Sequence, residues 1–166
     1  MKTKKIARLA LLTALALIIF VVELNLPDLV PIPGVKLGLA NIITVYAVYK
    51  YSAKDVALIV VSRLILGSLI CGNFSALMYS SAGAALCLIG MLAFKRFIPL
   101  KFIWLSSIVG AIMHNTGQMI VAVLYTNSFA VAVYYPLLII AGSIAGAFTG
   151  LCAQYVLKRD ISKNMM

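Results

Sequence analysis

A chain of 166 residues that is 64% hydrophobic, with a mean hydropathy of +1.10, carries far more apolar matter than the roughly 45–50% of a soluble domain. That surplus needs lipid, and at about 20 residues per crossing the length accommodates six spans and excludes a second domain. The formal charge of +10 does not point to nucleic acid, because the basic residues sit between apolar runs as topology signals and form no continuous patch.

The first apolar run, residues 6–24, follows Lys2, Lys4, Lys5 and Arg8. It has no small-residue cleavage site, so it reads as an uncleaved helix and not a removable leader. Asn25, Pro27, Asp28, Pro31, Pro33 and Gly34 then break it into a long loop. The second run, 38–51, is short for a span and needs tilt or length borrowed from that loop; Lys50, Ser52, Lys54 and Asp55 mark its far end. The third, 55–71, is interrupted by Arg63 and closed by an uncharged turn at Gly72 and Asn73. The fourth, 74–94, meets a basic, helix-breaking turn of Lys95, Arg96, Pro99 and Lys101. The fifth, 102–125, holds His114, Asn115, Thr116 and Gln118 at its centre, and the sixth, 131–157, ends in Lys158 and Arg159.

With the amino terminus inside, every other loop is cytoplasmic and 12 of the 14 Lys and Arg fall on that side, leaving out Lys36 and Arg63. The positive-inside rule then predicts six spans with both ends in the cytoplasm. The expected fold is an all-α integral membrane protein forming one transmembrane domain over residues 1–166. Small residues four apart share one helix face. Gly142, Gly146 and Gly150 are expected to pack within the chain, and Ala10 and Ala14 form a second such pair. Cys71, Cys87 and Cys152 have no metal-ligand or redox spacing and read as small packing residues.

Arg63 is the residue a bilayer tolerates least, since a charge at the centre of a span costs roughly 2.5–3.5 kcal/mol on insertion scales and belongs against a cavity or a partner. His114 and Gln118 share a face of the fifth run with Asn115 beside them, a polar strip that points into a bundle. Lys36 and Asn41 at the start of the second run, with Asn73 in the turn after the third, are placed to line an outward-facing mouth. The expected ligand set is Lys36, Asn41, Arg63, Asn73, His114, Asn115 and Gln118. Its two cations suit a carboxylate or phosphate, on a ligand whose remainder is apolar. The four acidic residues are scattered, so no metal site is expected. With no GxxxxGK[ST] phosphate loop the chain cannot hydrolyse ATP by itself. No catalytic motif and no cofactor are expected, and an autonomous channel or secondary carrier ranks last, for want of a buried carboxylate relay and of a half-helix repeat.

The stretch from Pro33 to Ile42 (PGVKLGLANI), with Ser62 to Gly67 (SRLILG) and His114 to Gln118 (HNTGQ), resembles the bacterial family called heptaprenyl diphosphate synthase component I, or Gx transporters. That family is similar in outline to the S components of energy-coupling-factor transporters, which implies an S-component-like six-helix bundle in the bacterial cytoplasmic membrane. S components capture a substrate and dock on a transmembrane coupling subunit, driven by two ATPases, through an AxxxA motif that Ala10 and Ala14 match. The resemblance therefore implies uptake of a small anionic or amphipathic nutrient or precursor. The alternative is a non-catalytic membrane subunit of heptaprenyl diphosphate or menaquinone synthesis, holding an isoprenoid diphosphate beside a separate catalytic subunit.

Overall fold

The computed structural model describes residues 2–25, 38–72 and 74–163. Lys36 and Asn73 lie outside the described residues, as does most of the proline-rich loop. Among the described residues there are six α-helices: α1 (Lys2–Leu24), α2 (Asn41–Lys50), α3 (Ala53–Cys71), α4 (Phe74–Phe94), α5 (Ile103–Thr126) and α6 (Tyr135–Lys163). No strand occurs among the described residues.

Local chemistry sets these boundaries. Ser52 caps α3 by accepting from the Asp55 amide, and the Asp55 carboxylate answers on the Ser52 amide, a reciprocal capping box. Gly72 ends α3 in the left-handed region at φ 62°, where glycine carries no Cβ penalty. Asn127 ends α5 likewise at φ 50°. Residues 131–134, at the start of the expected sixth span, belong to a tighter 3-10 turn over Phe129–Tyr134, and α6 begins at Tyr135. Pro136 sits in its first turn, where a missing N–H costs no hydrogen bond.

The larger departure is α2. Ten residues rise only about 15 Å, half a hydrocarbon core. Gly38 holds φ 66°, so the helix cannot extend back through it, and Tyr51 is already extended before the Ser52 cap.

Around the molecule α3, α4, α5, α6 and α2 form a closed ring of neighbours, with α1 laid against α3 and touching α2. Glycines bring the helices of the α4–α5–α6 layer close. A Cβ on Gly117 would stand 2.6 Å from the Ala82 carbonyl oxygen of α4, and one on Gly150 2.6 Å from the Trp104 Cα. The Gly142, Gly146 and Gly150 face meets Asn115, Ala111 and Ser107 of α5, so that row packs within the chain as expected. The apolar core joins Leu9, Val45, Val48, Val56, Ile59, Ala84, Met91, Ile103 and Leu157, drawn from all six helices.

Polar contacts gather helix ends at one pole. Lys5 bridges to Asp55 at 2.8 Å. Lys50 pairs with Asp160, which also accepts from the Tyr46 hydroxyl at 2.9 Å. The Lys95 ammonium donates to the Val48 carbonyl at 2.6 Å. These contacts bring the starts of α1 and α3 together, and tie the end of α2 to the ends of α4 and α6.

Four helical stretches, Thr3–Glu23, Leu77–Phe94, Leu100–Thr126 and Phe129–Asp160, are long and apolar enough to cross a membrane, and no more than 28% of the most apolar window of each is buried. Their outward apolar surface requires lipid, which makes the chain a multi-pass membrane protein. Of the other two helices, α3 is long enough but carries Lys54, Asp55 and Arg63, and α2 is too short.

Candidate functional site

The polar residues of four helices converge in the middle of the ring. Asn41 and Thr44 from α2, Val60 and Arg63 from α3, Ala84 and Cys87 from α4, and His114 from α5 line one small cavity. Its free volume, about 10 Å³, is roughly that of one water molecule. Arg63 and His114, 51 positions apart in the chain, thus share a chamber too tight for an organic ligand until the helices part.

Arg63 occupies mid-helix on α3 and is partly buried. Its guanidinium donates to the Asn41 side-chain oxygen at 3.4 Å, a long bond to a neutral group. Among the described residues it has no acidic partner in contact. The His114 ring lies against the backbone of Gly83, where a Cβ would come within 2.9 Å of it. Only a glycine on α4 lets the imidazole lie between α4 and α5. His114 and Arg63 are close enough for the charge of one to act on the other.

Two other expected site residues take different positions. Asn115 turns away from the cavity, and its side-chain amide donates to the Leu138 carbonyl of α6 at 2.7 Å, over Gly142. Consecutive helix residues are about 100° apart, so His114 facing the cavity directs Asn115 to α6. Gln118, one turn beyond His114, is partly buried and does not line the cavity. Thr116, between them, bonds the Tyr135 hydroxyl at 2.7 Å, so much of the α5 polar strip serves helix–helix contact.

Glu23 supplies a feature that sequence reading missed. At the end of α1 its carboxylate is buried, accepting from the Gly38 amide and from the Leu39 amide at 3.1 Å. Those amides begin the turn into α2, so a negative charge sits where unpaired N–H groups gather. Gly38 in turn abuts the Asn41 amide. Glu23 therefore anchors the segment that positions Asn41 against Arg63, and its charge reaches Arg63 without ion-pair contact. Twelve residues between Asn25 and Gly38 separate the two ends in sequence and hid this pairing, because only the fold brings them together. Cys87, read as packing, does pack against Met91 at 3.7 Å and also faces the cavity.

Ala10 and Ala14 are exposed on α1. They line an open apolar groove of about 350 Å³ between α1 and α3, together with Ile6, Thr13, Leu17 and Leu58 among others.

No curated protein and no solved structure matches the chain. The family model for heptaprenyl diphosphate synthase component I matches residues 12–156, a range that holds the three recognised motifs and every cavity-lining residue. By that match the chain belongs to the heptaprenyl diphosphate synthase component I family.

Proposed function

We propose that the chain is a substrate-capture membrane protein that binds a small anionic or amphipathic ligand within the helix ring, with Arg63 receiving the anionic group. The observation that carries this is the environment of Arg63, a cation in mid-helix bonded only weakly to a neutral amide and lining a cavity with His114. An intramembrane charge left in that state is a ligand-binding group by default. Asn41 and His114 orient the ligand, and Lys36 and Asn73 complete the outer mouth. Gln118 is reached once the cavity widens. The chain crosses six times with both termini in the cytoplasm, α2 covering only part of its own crossing, a topology favoured by basic residues at one pole and by the contacts linking the helix ends there. Uptake then draws its energy from a separate coupling subunit with two ATPases, which meets the exposed Ala10 and Ala14 face in the bacterial cytoplasmic membrane.

A second reading is favoured by the family match. The family's name makes its members one component of a synthase, which implies a partner with the catalytic machinery. The same chamber would then hold an isoprenoid diphosphate at Arg63, its tail among the apolar faces of the ring.

Affinity purification of the tagged chain from its own membrane, followed by identification of bound subunits, separates the two. A coupling subunit with ATPases supports capture for import, and a prenyl synthase catalytic component supports the second reading. A chain that arrives alone, with no small molecule, contradicts both.

A further inference from the structure

The groove between α1 and α3 differs from the Arg63 chamber in position, chemistry and size. Its 350 Å³ or so falls within the roughly 300–1,000 Å³ of small-molecule sites. Its walls are Ile6, Leu9, Ala10, Ala14, Leu17 and Leu58, with further apolar surface from Leu66. Of the two hydroxyl residues that line it, Thr13 and Ser62, Thr13 adds little polarity, since its hydroxyl donates to the Leu9 carbonyl at 3.0 Å.

Length decides what fits. From Ile6 to Leu17 the groove follows α1 for about 16 Å, close to one leaflet of a hydrocarbon core about 30 Å thick. Above Leu17 and Leu66 the helices close, because the Phe20 ring lies 3.1 Å from where a Cβ on the buried Gly67 would stand. A partner's membrane-spanning helix needs a trough through both leaflets, which this is not. A single hydrocarbon chain entering from the basic pole fills it.

Charge at the open end agrees. Lys54 lies on the same face of α3 as Leu58, Ser62 and Leu66, one turn before them, and is exposed. The nearby acid, Asp55, is engaged by Lys5 at 2.8 Å. Lys4, also exposed, stands at the same pole, so the mouth is cationic where a headgroup would lie.

We infer that the α1–α3 groove is a binding site for one anionic phospholipid, an acyl chain lying along Ala10 and Ala14 and the phosphate against Lys54. The site holds whichever ligand Arg63 takes. A coupling subunit that meets Ala10 and Ala14 displaces this lipid.

Native mass spectrometry of the full chain in detergent, titrated with phosphatidylglycerol or phosphatidylcholine, tests this. One phosphatidylglycerol is retained per chain in preference to phosphatidylcholine. Lys54→Gln weakens its retention about fivefold, the loss of one basic contact with an anionic lipid. Ala14→Phe fills the groove and abolishes retention, while Leu105→Phe, equally bulky on an exposed part of α5, leaves it intact. Equal retention of both lipids, or retention unaffected by Lys54→Gln and Ala14→Phe, overturns the proposal.

Discussion

At the residue scale, neighbouring polar residues in one motif have separate roles. His114 faces the cavity with Arg63, and Asn115 joins α5 to α6 through Leu138. Interhelical hydrogen bonds in membranes average about 0.6 kcal/mol. Asn115→Ala is therefore expected to cost roughly that in thermal unfolding and to leave ligand retention unchanged; a ligand lost along with unaltered stability would return Asn115 to the site. Glu23 makes the reverse prediction. Glu23→Gln removes the charge that two backbone donors share, and charge-assisted bonds are about twice as strong as neutral ones. Amide exchange at Gly38 and Leu39 is expected to quicken several-fold, with the far pole unaffected. Unchanged exchange would mean the carboxylate does not hold the entry to α2.

At the element scale, the glycines distinguish close helix contact from turn geometry. Gly150 lies against Trp104 backbone, so a side chain there must push α5 and α6 apart. Gly150→Val is expected to destabilise by about 1–3 kcal/mol through overpacking. Gly72 has open space around it but a left-handed backbone, so Gly72→Ala is expected to cost about 1 kcal/mol through the backbone alone. Thermal melts of the two variants in one detergent compare the two causes, and a neutral Gly150→Val would deny the close α5–α6 contact. The same contrast explains which elements were readable in advance. The fourth run, 74–94, coincides with α4 because apolar residues stop at a basic turn on one side and at Gly72 on the other. The second run overreached because Gly38 is apolar in a hydropathy sense, while its positive φ, set by the turn that Glu23 holds, excludes it from the helix. The sixth run, 131–157, falls within the apolar stretch Phe129–Asp160, and what sequence did not reveal is that its first residues are 3-10 and not α-helix, since FAVAVY is as apolar as the helix after it.

At the scale of the whole molecule, composition and charge placement were enough to read a helical membrane protein, since both depend on residue type and order alone. Arg63 and His114 stood out individually by their cost in lipid. Their meeting, together with Asn41, depends on the ring of α2, α3, α4 and α5, which no local pattern encodes. Pocket size was likewise unreadable, and the chamber closes to about 10 Å³ because short α2 and the small residues of α4 let the helices approach. Ligand binding must then widen the ring, and α2, the shortest helix and the one hung from Glu23, is the element expected to move.

Native mass spectrometry of the chain gently extracted from its own membrane, wild type against Arg63→Ala with Asn115→Ala as the control, tests the central claim most directly. A small anionic molecule bound to wild type and to Asn115→Ala, and absent from Arg63→Ala, is the predicted result. The same molecule retained at equal occupancy without the guanidinium would contradict it.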